Sequence, residues 1–213
     1  MGQRIKLATA VLFLFFSISL VLGAEEESFS FKSDSSRIIL PQGKKQIILT
    51  GNAMVESETL NIKADEIRRY GNDLQFTLCI GNVIAVDLDR EIEIVCDELV
   101  FDTDNDTITI NSYSEMRDKK NDVVSRSGYL FDKRKEKITL LSINVRIFKE
   151  DTICRAEFAR MDHNTKMLEL TGSPAIYMDG NELSSSKIVY NIENEEITFV
   201  GDVAGTVNAD KDE

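Results

Sequence analysis

Eleven short polar turns punctuate the chain at nearly constant spacing, and that recurrence limits the fold more than any single motif. Their centres fall at 43, 57, 72, 88, 105, 120, 134, 150, 164, 180 and 194, which is 14 to 17 residues apart. Between them apolar and polar residues alternate, the period of a half-buried strand and not of a helix. The chain therefore reads as consecutive antiparallel β passes. Strands typically run about 5 to 6 residues, so a pass of about 15 has to bend.

Two kinds of bend alternate. One is Gly51-Asn52, Gly81-Asn82, Asn111-Ser112, Ser142, Gly172-Ser173 and Gly201-Asp202, at separations of 30, 30, 31, 30 and 29. The other is a small residue usually followed by a charged one: Ser33-Asp34, Ala64-Asp65, Cys96-Asp97, Ser127-Gly128, Ala156-Glu157 and Ser186-Lys187. Gly and small residues admit the corners and close approaches that larger side chains forbid. Two bent passes make a unit of about 30 residues, repeated from Phe29 to Val207, the period of a quasi-one-dimensional stack. Twelve such passes predict an all-β fold of two facing sheets joined along a crease, about 55 Å long at about 4.8 Å per strand.

The alternation nominates the inward residues. Ile47, Leu49, Leu60, Ile62, Phe76, Leu78, Ile92, Ile94, Ile138, Leu140, Leu168 and Leu170 are the expected wall of an apolar slot, while Asn61, Lys63, Gln75, Glu91, Glu93 and Glu169 take the other face. Two readings stay open: the wall residues fill their own core, each contributing on the order of 1.5 to 3 kcal/mol, or the walls stand partly apart and hold acyl chains.

Composition excludes several functions. With 25 Lys+Arg against 37 Asp+Glu the chain carries −12, which argues against nucleic acid, since a phosphate backbone needs a basic surface. One His and three Cys leave little for His- or Cys-based catalysis or a zinc cluster, and no cofactor is expected. At the N-terminus Arg4 and Lys6 precede an apolar run, Leu7 to Leu22, followed by Gly23 and Ala24, the order of a secretory signal. Residues 1–24 are read as that signal, cleaved after Ala24 or retained as an inner-membrane anchor. Residues 25–207 then form one domain and 208–213 an acidic tail. The exported part carries 23 − 37 = −14.

The stretch Gln46-Ile47-Ile48-Leu49-Thr50-Gly51-Asn52-Ala53-Met54-Val55, continuing through Leu60-Asn61-Ile62-Lys63-Ala64-Asp65-Glu66-Ile67, resembles the opening repeat of the LptA/OstA-like periplasmic lipopolysaccharide-transport family. Phe29 to Leu40 resembles the short segment before it, and Leu170-Thr171-Gly172-Ser173-Pro174 with Lys187-Ile188-Val189-Tyr190 resembles a late repeat. The resemblance implies an elongated, V-shaped antiparallel β-jellyroll without enzymatic activity that shields the acyl chains of lipopolysaccharide or a related glycolipid. It also implies docking end to end with related β-jellyroll domains of an inner-membrane complex and an outer-membrane translocon. A head-to-tail homo-oligomer is a further expected assembly. The terminal passes fit such docking: Phe29 and Phe31 at one end and Ile197, Phe199 and Val203 at the other lie in strands with little Lys or Pro to guard the edge. The middle repeat departs from the pattern, with Asn111 and Ser142 for glycine and basic turns at Lys119-Lys120 and Lys133-Arg134-Lys135, read as solvated hairpins.

Asp102, Asp104 and Asp106 begin like a calcium loop, but Thr107 and Tyr113 stand where Gly and Glu are required, so they are read as a hairpin turn. His163 is read as a turn residue. Cys79, Cys96 and Cys154 are an odd set in an exported chain; Cys96 occupies a small-residue bend and is expected to pack as one, with no disulfide pairing assigned. A carbohydrate-active solenoid enzyme needs paired carboxylates in one cleft, and the acids here sit mostly at turns.

Overall fold

A computed structural model describes residues 29–41 and 45–206. The expected signal at 1–24, the turn at 42–44 and the tail at 208–213 lie outside the described residues. The described chain is all-β. Its strands are β1 (Ser30–Lys32), β2 (Ser35–Ile39), β3 (Gln46–Glu56), β4 (Leu60–Tyr70), β5 (Phe76–Asp87), β6 (Ile92–Asp102), β7 (Thr107–Ile110), β8 (Ser114–Asp118) and β9 (Val123–Ser127). They continue with β10 (Tyr129–Lys133), β11 (Ile138–Lys149), β12 (Thr152–Asp162), β13 (Met167–Thr171), β14 (Ala175–Met178), β15 (Asn181–Ser184), β16 (Lys187–Asn191), β17 (Ile197–Val200) and β18 (Ala204–Thr206).

These are the twelve bent passes. Passes 2, 3, 4, 5, 8 and 9 are the long strands β3, β4, β5, β6, β11 and β12. The others are broken at the bend into β1–β2, β7–β8, β9–β10, β13–β14, β15–β16 and β17–β18. Every pairing is antiparallel and the register shifts at the bends, for instance between Thr50 and Ala53 and between Ile80 and Val83. One continuous ladder is thereby folded into two layers. Layer I holds β2, β7, β10, β13, β16, β17 and one half of each long strand; layer II holds β1, β8, β9, β14, β15, β18 and the other halves. Opposite the crease, two rows of turns form the lips of a V.

The crease has a recurring chemistry. Gly51 and Asn52, and again Gly81 and Asn82, take positive φ, between 46° and 77°. The Asp34 amide donates to the Gly51 carbonyl at 2.9 Å. Asn52 Nδ2 and Asn82 Nδ2 each donate to an aspartate on the neighbouring pass, Asp34 and Asp65, at 2.9 Å. A Cβ on either glycine would collide with that aspartate side chain.

The middle repeat solves the same problem the other way round. Its left-handed pair is Ile143 and Asn144, at φ 68° and 57°, which corrects the bend expected at Ser142; Asn111 is not left-handed. The space that Ile143 needs is made by Gly128 across the ladder, where a Cβ would come 2.9 Å from Ile143 Cγ2. The Gly128 amide still donates to the Ile143 carbonyl, at 2.8 Å. A β-branched residue held left-handed costs about 1–2 kcal/mol. Gly128→Asp is therefore expected to destabilise by about 1–3 kcal/mol through overpacking. Adding Ile143→Gly, which recreates the Gly51–Asp34 arrangement, should recover most of it, a coupling that urea midpoints of the two singles and the double will measure.

Candidate functional site

The interior between the layers is one hydrophobic cluster running the length of the described stack. Of the expected wall, Leu49, Leu60, Ile62, Ile92, Ile94, Leu168 and Leu170 are buried, at 0–2% exposure, and Ile47 packs against them from the open end. Phe76, Leu78, Ile138 and Leu140 do not belong to it. They are half-buried on the outer face of layer I, while their neighbours Thr77, Cys79, Thr139 and Leu141 point inward. Apolar residues on both faces of these half-strands misled the alternation. Phe76 stacks on Tyr70 with ring centroids 5.5 Å apart, and Leu140 lines an outer groove of about 310 Å³ with Tyr129 and Phe158.

Sulfur sits on both walls. Cys79, Cys96 and Cys154 are free and buried. Burial pushes all three thiols up, those of Cys96 and Cys154 to about 12. They behave as small apolar residues and carry no reactive thiolate.

The two ends differ from the middle. Among the described residues β1 and β2 pair only with β3, β17 only with β16, and β18 only with β15. At the first end Phe31 and Ile38, which lie opposite the inward Val55 and Ile47, are 50% and 54% exposed. Phe29 lies under the Arg69 guanidinium, 4.8 Å from its ring centroid. At the other end Ile197 and Phe199 pack against the core and Val203 is 58% exposed.

Sequence reasoning missed the lips. Arg134 is expected in a solvated hairpin and His163 in a turn; both sit in turns, but both are buried, at 7%. Arg134 Nε donates to Asp87 Oδ2 at 3.0 Å and its other nitrogens reach Asp106 and Thr59. Arg90 donates to Asp87 at 2.9 Å and forks onto both oxygens of Asp132, at 3.1 and 2.5 Å. The Thr139 hydroxyl donates to Asp132 at 2.6 Å and its oxygen lies 2.9 Å from His163 Nε2; His163 Nδ1 lies 3.4 Å from Asp118. A continuous polar chain thus runs Asp118, His163, Thr139, Asp132, Arg90, Asp87, Arg134, Asp106. It crosses repeatedly between layer II (Asp87, Arg90, Asp118) and layer I (Asp132, Arg134, Thr139, His163). No sequence period marks these residues, because they come from five different turns.

The cross-lip contacts also fix a stagger. Asp87, in the fourth pass, meets Arg134, between the seventh and eighth. Asp118, in the sixth, meets His163, between the ninth and tenth, and Lys149, in the eighth, meets Glu195, between the eleventh and twelfth, at 2.7 Å. The layers are in register at the crease and offset by three to four passes at the lips, the expected result of sheet twist. Among the described residues no cross-lip ion pair reaches the first two passes of layer I or the last two of layer II.

Burial alone raises the Asp87 carboxyl, but the Arg90 and Arg134 guanidiniums more than offset it and hold it below the ordinary aspartate value. Asp118 is likewise lowered on balance, burial being outweighed by hydrogen bonds from His163 and Asn121. A carboxyl whose folded value is depressed adds stability that is full above its unfolded value of about 3.9 and is lost as pH falls through the folded one. The denaturant midpoint is therefore expected to fall steeply below about pH 4. In Asp87→Asn that acid limb should be shallower, which a midpoint series from pH 6 to 2 will show.

No family model matches the chain, and no curated protein matches it in sequence. Among solved structures it is similar to LptH, described as the LptA homologous periplasmic component of the conserved lipopolysaccharide transport device from Pseudomonas aeruginosa. The match covers 86% of this chain and 96% of that one at 9% identity and a TM-score of 0.27.

Proposed function

We propose that this protein is a non-enzymatic periplasmic bridge module that carries lipopolysaccharide or a related glycolipid, its acyl chains shielded between the two layers, from the inner-membrane complex to the outer-membrane translocon. The observation that carries the reading is the pair of unfinished ends. Among the described residues each presents strands with one unpaired side, and the first leaves inward-facing apolar side chains, Phe31 and Ile38, half exposed. Edges of this kind recruit another sheet by β-augmentation. A related β-jellyroll domain, or a second copy, docked there would extend both the ladder and the apolar wall. The motif resemblance around Gly51-Asn52 and Ala64-Asp65 points the same way, as does the expected export. The buried acids Asp87, Asp118 and Asp132 are committed to ion pairs and hydrogen bonds across the lips, a structural use of carboxylates.

A second reading is favoured by one observation. Wall residues at 0–2% exposure leave no room for an acyl chain unless the layers part. On that reading the protein is a structural envelope component that stacks end to end without lipid. Both readings require the ends. Phe31→Lys with Ile38→Lys is expected to abolish concentration-dependent elongation in sedimentation velocity while shifting the thermal midpoint by only a few degrees, since both sites are half in solvent. Mass spectrometry of lipid bound to protein from its native envelope separates the two: stoichiometric glycolipid supports the conduit, and elongation without lipid sinks it.

A further inference from the structure

The polar chain at the lips is more than the interior needs for stability. Replacing a buried ion-pair network by apolar residues of similar volume is often neutral or stabilising, and the rest of this interior is mostly apolar, with only small uncharged polar residues such as Thr77, Ser114 and Ser125 among its Leu, Ile and Val. Yet along the middle of the open side, opposite the crease, it buries two arginines and three aspartates and links them layer to layer. Asp87, Arg90, Asp132 and Arg134 have side chains 1–7% exposed, and His163 and Asp118 are 5% and 2% exposed. Every member is satisfied: Asp132 by Arg90 and Thr139, Asp87 by both arginines, Asp118 by His163 and Asn121. A closed contact of this kind is held by short-range charge, and once parted its members are rehydrated where apolar lips would be left exposed. That gives two discrete arrangements instead of a gradual gape.

We infer that these residues form a lateral clasp, which holds the lips together over the middle repeats, so that the interior opens at its two staggered ends and opens sideways only when the clasp is broken. Its bearing on lipid rests on the conduit reading above: acyl chains then move along the slot from end to end, and sideways escape in mid-bridge is blocked. Toward the second end the lips are joined by the more exposed pair Lys149–Glu195, with side chains 10% and 59% exposed. At the first end they are joined by the Arg69–Phe29 contact.

The test is made on the full chain. Val123 is 1% exposed and faces inward at the lip, opposite Asp118 in the ladder, so the near-isosteric Val123→Cys places a reporter thiol beneath the clasp. Native Cys79, next to the crease, is the internal reference. Arg90→Ala with Asp132→Ala removes one charge of each sign and leaves Asp87 with Arg134. Under native conditions the position-123 thiol is expected to react with dithionitrobenzoate at least tenfold faster in this variant than in Leu168→Ala, compared at equal global stability, while Cys79 lags behind it. Thr139→Val, which removes only the hydroxyl between His163 and Asp132, should give a smaller rise and serves if the double variant does not fold. Equal rates in clasp and core variants at matched stability, or position 123 and Cys79 reacting together, would overturn the clasp. Lipid recovery is scored separately. Selective thiol exposure with no lipid on either protein keeps the clasp and removes the conduit; lipid on both without selective exposure does the reverse.

Discussion

Replacing Arg90 with methionine is expected to lower the unfolding free energy by about 3–5 kcal/mol, the usual cost of breaking a buried ion pair from one side. The guanidinium serves two carboxylates at once, Asp87 at 2.9 Å and both oxygens of Asp132. Asp87 keeps Arg134. Asp132, with its side chain 1% exposed, would keep only the Thr139 hydroxyl, and a buried carboxylate with one neutral donor is the costly species. The expected companion result is that Arg90→Met with Asp132→Leu regains most of the loss, because no orphan charge remains. Guanidinium unfolding of the singles and the double gives both numbers. A double as unstable as Arg90→Met alone would mean that packing, not charge, sets the cost at the lips.

An aspartate at position 62 should leave no folded protein at all. Ile62 is 2% exposed in layer II, inside a cluster with no cation in it. Substitution loses about 1.5–3 kcal/mol of burial and adds the desolvation of a charge or the protonation of the acid. Together these approach the whole stability of an ordinary domain, about 5–15 kcal/mol. The same substitution at Phe76 is expected to cost only about 1–2 kcal/mol. That ring stands half-buried on the outside, and its loss forfeits the Tyr70 contact and sets a second carboxylate opposite Asp102. Far-UV circular dichroism and the soluble yield of the two variants decide the matter. Equal collapse of both would put Phe76 back on the inner wall.

The outward place of Phe76 follows from the parity of the bends. Two residues occupy the left-handed region at Gly51-Asn52, Gly81-Asn82 and Ile143-Asn144. The inward residues either side are therefore four apart, Leu49 and Ala53, Cys79 and Val83, Leu141 and Val145, and odd positions stay odd. At the small-residue creases they are three apart, Ala64 and Ile67, Cys96 and Leu99, Ala156 and Ala159, and the parity flips. Read with that rule, Val83-Ala85 and Val145-Ile147 would have assigned Thr77, Cys79, Thr139 and Leu141 to the interior and sent Phe76, Leu78, Ile138 and Leu140 outside. Apolar identity alone could not, since both faces of those half-strands carry large side chains. The twelve passes, their described turns and nearly every bend are legible because period and glycine act locally. The lips were not. Arg90, Arg134, His163 and their acids are brought together from five different turns by the twist of the layers, and a charged residue in a turn looks solvated until the opposing layer is in place.

The stagger has a consequence for assembly. An offset of three to four passes makes each end a step instead of a flat face. Layer I protrudes at the first end and layer II at the last. Two copies, or two related domains, meeting first end to last end would seat one tread on the other, each supplying the missing opposite lip, like a lap joint. Two first ends related by a two-fold axis would also lap, but they would close a pair instead of extending a chain. The step would thus admit both an open chain and a closed pair, and it would survive any change of side chains that left the twist intact.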